Sequence, residues 1–279
     1  MARTLWMTLL ALTTAAVASV PAQRDRDRDF GLSQDEWCRA ERRADVCEVR
    51  EDTIANTRVV DLDARGNGGV SVRGWDRPDV HLRARVAVYG ESESDARAIA
   101  SEIKLTTTGG RIRVEGPSRD RGRRSWWEGG RGWSVAFELQ VPRSAELTIG
   151  ATNGGVSIED VRGRMDVHTV NGGISLDDVS GDIRGETTNG GVQVRVAGGK
   201  WEGPGLDVRT VNGGINLALP PDLSAELEAR AVNGGIRVDY PLTVSGLINS
   251  RREIRGTIGS GGPRIRASAT NGGITVTRR

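Results

Sequence analysis

Two matched carboxylate pairs, two histidines, two cysteines and one run of tryptophan and arginine are the residues in this 279-residue chain whose spacing invites chemistry. Glu159-Asp160 and Asp177-Asp178 stand 18 residues apart at the same offset from two Asn-Gly-Gly-Val/Ile motifs. If those segments stack, four carboxylates cluster and offer oxygen ligands of the kind Ca²⁺ prefers. The run is not the Gly-Gly-x-Gly-x-Asp calcium nonapeptide, however. The next equivalent positions hold Arg195 and Val196. Solvated acidic turns are therefore expected, with no metal and no cofactor. His81 and His168 alternate with apolar neighbours, as exposed strand residues do. The sequence shows no Gly-x-Ser-x-Gly elbow, His-Glu-x-x-His helix or phosphate loop, so no catalytic residue is assigned.

The most unusual stretch is 119–133. It carries five Arg and two acids, a local charge of 5 − 2 = +3, together with three Trp. Arg121, Arg123, Arg124, Trp126, Trp127 and Trp133 are the surface-binding candidates. Arg beside Trp stacks on sugars or settles among anionic head groups. The plainer reading is a Gly-rich loop whose Trp residues cover an end of the fold. Cys38 and Cys47 are the chain's two cysteines. Ser33-Gln34-Asp35-Glu36 is a capping-box pattern that starts a helix. Nine unbroken helical residues would hold the two Cys ~13 Å apart, beyond the ~7 Å that a bridge tolerates. A helix that breaks before Cys47 permits a disulfide, and that is the expected arrangement.

The elements that must position these residues follow from composition and periodicity. Thirty-eight Gly argue against a helical bundle, because Gly damages helix interiors. With 39 basic against 37 acidic residues the chain lacks the charge excess of a nucleic-acid binder. Residues 1–22 read as a signal peptide. Arg3 precedes a ~13-residue apolar run too short to span a bilayer, and Val20-Pro21-Ala22 offers a cleavage site. The chain is therefore expected to be exported, to a periplasm or to a cell surface. Residues 23–56 form a charged arm bearing the Cys pair, and 57–279 form the main domain, with 119–133 inserted. A short helix is expected over 94–103, packed on a sheet edge.

Asn-Gly-Gly followed by Val or Ile occurs seven times, at Asn67, Asn153, Asn171, Asn189, Asn212, Asn233 and Asn271. From Asn153 the steps are 18, 18, 23, 21 and 38 residues, the last suggesting one degenerate unit between. At the six Asn from Asn153 onward, positions −6, −4, −2, +3 and +5 are apolar or small, the period of a strand with one buried face. The inward column narrows toward the Asn: Leu147, Ile149, Ala151; Met165, Val167, Thr169. Ile103–Val114 fits the same frame with Gly109 in the Asn slot. At Asn67 the preceding strand is shifted by one, which implies a bulge. Asn-Gly-Gly is read as a corner needing positive φ.

Two layouts satisfy that pattern. One is an all-β parallel β-helix, or solenoid, of 18–23-residue coils with one capping helix. The other is an antiparallel hairpin meander with −2 opposite +3. The solenoid is preferred. An exposed hairpin turn would accept Asp as readily as Asn, whereas stacked coils place Asn153, Asn171, Asn189, Asn212, Asn233 and Asn271 in an internal amide ladder at ~4.8 Å intervals. In such a ladder Asn171 and Asn189 should resist deamidation, a protection not extended to Asn67.

Val70-Ser71-Val72-Arg73-Gly74-Trp75-Asp76, the Ala-rich segment 94–103, and Phe137-Glu138-Leu139-Gln140-Val141-Pro142 before the serial Asn-Gly-Gly units resemble the putative-adhesin, β-strand-repeat family of bacterial envelope proteins. The resemblance covers about 57–279. It implies a β-helix-like exported domain without established catalytic residues. The functional expectation is a non-enzymatic envelope scaffold or adhesin-like binding surface. Its partners would be polysaccharide, an anionic membrane surface or another envelope protein, and not nucleic acid. The alternatives are a β-helix polysaccharide lyase or hydrolase, by fold analogy alone, and an envelope-stress sensing partner protein.

Overall fold

A computed structural model of the chain describes residues 31, 33–41, 43–117, 131–198, 201–244 and 252–279. The expected signal peptide, residues 23–30 of the charged arm, and Arg121, Arg123, Arg124, Trp126 and Trp127 lie outside the described residues. The protein is all-β. Its described strands join in one twenty-strand sheet that wraps nearly closed around an apolar interior. Each Asn-Gly-Gly joins two strands at a corner. Six of the strands leading to an Asn are β2 (Val59–Asn67), β8 (Glu146–Asn153), β10 (Arg162–Asn171), β13 (Gly205–Asn212), β15 (Ala225–Asn233) and β19 (Arg264–Asn271). Those leaving are β3 (Val70–Trp75), β9 (Val156–Glu159), β12 (Val192–Val196), β14 (Ile215–Leu219), β16 (Ile236–Asp239) and β20 (Ile274–Arg278). The long β11 (Ile174–Asn189) leaves one corner and enters the next.

Equivalent strands pair in parallel, residue over residue. Leu147 pairs with Met165, Met165 with Ile183, and Ile183 with Leu206. Thr187 is partnered by Thr169 and Thr210, so position −2 does not face +3 as a hairpin would require. The inward side chains Ile149, Val167, Val208 and Ala267 are buried to 1% exposure or less. Between Ala64 and Asn67 the register shifts, a bulge at Gly66.

The reason for Asn-Gly-Gly differs from the sequence expectation. No Asn of the repeat has positive φ, and five of the seven first glycines lie outside that region as well. The requirement is steric. A Cβ on Gly190 would lie 2.2 Å from Gly172 O, and one on Gly213 would lie 2.0 Å from Gly190 O. The same clash, at 1.9–2.2 Å, recurs at Gly154, Gly172, Gly234 and Gly272. Backbone lies against backbone at this corner, leaving no room for a methyl group. The second glycine is looser, with Gly191's hypothetical Cβ 3.4 Å from Gly214 O. A positive-φ turn occurs instead at Gly109-Gly110, φ 58° and 80°. There β5 (Lys104–Thr108) and β6 (Arg111–Glu115) form an antiparallel hairpin, with Thr107 facing Ile112. That segment is not a stacked unit of the kind its apolar frame suggested.

The inward taper has a polar purpose. Thr169, Thr187 and Thr210 are almost wholly buried, and their hydroxyls donate to Gly154 O, Gly172 O and Gly190 O at 3.0, 2.7 and 2.8 Å. Each thus satisfies a carbonyl turned into the packed corner. The Asn amides form one file. Nδ2 of Asn153 donates to Asn67 Oδ1 at 3.1 Å, and the sequence continues through Asn171, Asn189, Asn212, Asn271 and Asn233 at 2.8–2.9 Å. Every donor points the same way. The file runs along an exposed corner rather than inside the stack, and Asn67 belongs to it.

The spatial order is not the chain order. The last unit, β19–β20, lies between the Asn212 and Asn233 units and pairs in parallel with both. Among its described residues the 38-residue step holds no further unit stacked in parallel. It holds β17 (Thr243–Val244) and β18 (Glu253–Ile258), and β18 runs antiparallel along β15 to cover its outer edge. At the opposite end β1 (Val46–Ile54), β4 (Val80–Tyr89) and β7 (Gly132–Pro142) form antiparallel pairs, and β7 continues in parallel with β3. Helix α1 (Gln34–Ala40) is capped by Ser33. Helix α2 (Glu93–Glu102) is capped by Ser92 and buries Ala96, Ile99 and Ala100.

Two substitutions separate these contributions. Gly190→Ala should destabilise by about 3 kcal/mol or more, and Gly191→Ala by under about 1 kcal/mol, in urea unfolding, because only the first methyl meets immovable backbone. Thr187→Val should cost about 1–3 kcal/mol by leaving Gly172 O unmatched, while Thr187→Ser should recover most of the loss.

Candidate functional site

The arm that precedes the stack folds back onto the outer face of β4 and β7. Helix α1 ends at Ala40, and Cys47 follows on β1, so the bonded cysteines have Cα atoms 5.7 Å apart. Gln34 Oε1 accepts from Val49 N at 3.1 Å, which attaches the helix to the edge of β1. Tyr89 Oη donates to Glu41 Oε1 at 2.8 Å. Burial, with Glu41 beside it, pushes the Tyr89 hydroxyl up to about 12. Trp37 is buried, and the Arg85 guanidinium lies 5.6 Å from its ring centre.

Beneath this cover sits Glu138 on β7, the most buried carboxylate among the described residues at 2% exposure. It pairs with Arg83, 2.8 Å away, and with Arg85, both on β4. Arg83 also donates to Glu51 at 2.7 Å. Next to them opens a cleft of about 400 Å³ lined by Gly31, Glu51, Arg73, His81, Arg83, Glu138 and Gln140. Its arginines are held by carboxylates, Arg73 by Glu159 at 2.8 Å. Opposite charges paired across five strands leave the cleft without a strong field of one sign.

The two acidic turns come close together, as their offset implied, but not as an open carboxylate cluster. Glu159 pairs with Arg73, Asp160 with Arg143 at 3.4 Å, Asp177 with Arg195, and Asp178 with Arg279. Asp160 and Asp178 have φ of 58° and 49°. Asp tolerates this left-handed geometry better than most residues, so these acids mark corners. Among the described residues no group of three or more His, Cys, Asp or Glu is arranged to hold a metal ion. The Arg279 partner holds the Asp178 carboxyl below the usual carboxylate range.

His168 is exposed on β10. His81 is half-buried, stacks on Trp75 with ring centres 6.4 Å apart, and has Nε2 3.9 Å from Glu51. Of the Trp/Arg run, Trp133 lies on β7 and donates Nε1 to Pro117 O at 3.1 Å, while its ring packs over Gly116. Arg131 pairs with Asp95 of α2. Trp133 is thus a strand residue tied into the fold. Sequence reasoning missed Glu138, whose outward position on an alternating strand reads as exposed. It also missed Trp201, which is buried in the longer connection before β13 and donates to Gly181 O at 3.1 Å. The extra length of the 23-residue step was the available signal for Trp201. For Glu138 the covering arm gives no periodic signal.

These features define an all-β protein of parallel, register-locked units whose outer charges are largely paired. Residues 64–277 match the Toastrack DUF4097 family, and the chain belongs to it. No curated protein matches the chain in sequence. Among solved structures it is similar to a putative cell adhesion protein from Clostridium sporogenes ATCC 15579, with 11% identity, 83% of this chain and 100% of that one covered, and TM-score 0.43. It is also similar to a putative adhesin from Bacteroides fragilis NCTC 9343, with 10% identity, 85% and 99% covered, and TM-score 0.36. A putative lipid binding protein from Parabacteroides distasonis ATCC 8503 shows 12% identity, 82% and 96% covered, and TM-score 0.32. Among the described residues no helix is long and apolar enough to cross a membrane.

The Asp178–Arg279 pair sets an acid-limb test. The folded-state pKa of Asp178 lies below its unfolded value, so the pair stabilises above the ordinary carboxylate range and the contribution disappears as pH falls through the folded value. Asp178→Asn should be less stable than the parent near neutrality by no more than about 1 kcal/mol, because the pair is half-exposed. The gap should close as urea unfolding is repeated below pH ~4.

Proposed function

We propose that the chain is an exported, non-catalytic β-solenoid that serves as a binding scaffold at the cell envelope, in the periplasm or on the surface. The observation that carries this reading is the pairing of all four turn carboxylates with arginines. A β-helix lyase or hydrolase needs an acid, base or metal-binding carboxylate free to reach substrate. Here Glu159, Asp160, Asp177 and Asp178 are engaged in holding neighbouring segments together. The Cys38–Cys47 bridge supports the exported compartment, since such bonds persist in oxidising surroundings.

The contact surface we assign is the Trp/Arg run, in which Arg121, Arg123, Arg124, Trp126 and Trp127 supply cation and ring chemistry for polysaccharide or anionic head groups. Trp133, on β7, donates to Pro117 O across the base of the run. The test compares the full mature chain with a variant lacking 119–130, which leaves Trp133 and β7 in place. Both are screened against immobilised polysaccharides and anionic phospholipid vesicles. Binding that falls about tenfold or more in the variant is expected. Undiminished binding would remove the assigned surface. Polysaccharide cleavage by the parent that is lost in Glu159→Gln or Asp177→Asn would overturn the non-catalytic reading.

A further inference from the structure

Seven Asn-Gly pairs lie in one file, and six are chemically closed. In each of the six, the N–H of the first glycine donates to the main-chain carbonyl of the next Asn. Gly68 donates to Asn153 O, Gly154 to Asn171 O, Gly172 to Asn189 O, Gly190 to Asn212 O, Gly213 to Asn271 O and Gly272 to Asn233 O, all at 3.0–3.1 Å. Asn233 ends the file. Among the described residues Gly234 N–H has no such acceptor. Gly234 is also the one first glycine of the seven that is exposed, the other six being half-buried. Asn233 donates to Asn271 Oδ1 at 2.9 Å, and no further amide of the file donates to Asn233.

We infer that Asn233-Gly234 is a self-modification site at which the stack's terminal unit ages by succinimide formation. The Gly234 nitrogen gives its proton to water and attacks the Asn233 Cγ. A C–N bond forms, and the side-chain nitrogen leaves as ammonia. Water then opens the five-membered imide at either carbonyl to give Asp or isoaspartate. The balance is one water taken up and one ammonia released, with no redox partner. At the other six pairs the attacking nitrogen must first break a backbone hydrogen bond and move within a packed corner. At Asn233 the attacking nitrogen has no such hydrogen bond to break among the described residues and belongs to an exposed glycine, although Gly234 still packs on one side against Gly272 O.

The modification has a structural consequence. The new carboxylate has no N–H to offer Asn271 Oδ1, and it places acceptor against acceptor. Isoaspartate adds a carbon to the main chain between β15 and β16. That spoils a corner that must keep Leu227 on Ile265 and Ile236 on Ile274 at once. The terminal unit, 225–239, is the part that loosens.

The test ages the full chain at neutral pH and maps each Asn-Gly peptide by mass spectrometry, with a denatured sample alongside. Asn233 should convert on the order of tenfold faster than each of the other six in the folded protein, the advantage given by one hydrogen bond and loss of packing. All seven should convert at similar rates when unfolded. Faster hydrogen exchange over 236–239 should accompany conversion, and Asn233→Ser should abolish it. Equal rates at all seven sites, or Asn67 leading, would overturn the assignment. Unchanged exchange in the converted protein would overturn the loosening.

Discussion

The architecture depends on the close approach of backbones at the Asn-Gly-Gly corner. A carbonyl oxygen of one glycine lies where the next unit's first glycine would carry its Cβ. That approach keeps the main-chain hydrogen bonds unbroken through the corner, from Gly172 N to Asn189 O and Ile174 N to Gly191 O. A sheet can therefore turn without orphaning its polar groups. The other features of the corner follow. The inward residue at −2 must be small, and where it is Thr it donates to the crowded carbonyl. The side chain before the glycines must be an amide that both donates and accepts along the stack, which Asp at neutral pH does not do.

The strands, their inward faces and their parallel order were legible because a two-residue period persists over six units and a narrowing column makes sense when equivalent residues stack. The cause of the glycines was not legible. Asn-Gly reads as a left-handed turn from local preference, and at Gly109-Gly110 that reading is correct. At the repeat corners the glycine is dictated by another segment 18 or more residues away, a constraint local propensity does not contain. The same limitation hid Glu138. Strand alternation places it outward, and its burial between Arg83 and Arg85, with Gly31 N–H donating to it and Trp37 against Arg85, depends on an arm distant in sequence. The acid pairs were found, but their arginine partners come from other units, so an isolated reading left them solvated.

The order of the last three units bears on how the chain folds. The Asn233 unit has no described parallel partner except β19 and β20, which are made later in the chain. It therefore gains its parallel pairing only when the final unit enters between it and the Asn212 unit. The repeat makes such an insertion possible, since each unit presents the same register on both edges. It also makes an error possible, because the Asn233 unit could pair directly on the Asn212 unit. Contacts that must wait for distant sequence raise the loop-closure cost of the transition state, so the C-terminal third is the natural place for slow steps.

The charges on the outer faces address that error. Apolar residues and Asn are nearly interchangeable among units and say little about which neighbour is correct. The ion pairs differ from unit to unit. Arg266 reaches Glu228 on one side at 3.1 Å and Asp207 on the other at 3.7 Å, spanning the units that its own strand separates. Arg279 reaches back to Asp178 and to Val196 O, 3.2 Å away, and its N–H donates to Leu219 O at 2.8 Å. Half-exposed pairs of this kind contribute little stability each. In a stack whose core is degenerate, a small unequal term at each interface is enough to favour one order over another. Arginine suits the role because its planar fork of donors can engage two units at once, and the chain carries only two Lys, at 104 and 200, against 37 Arg.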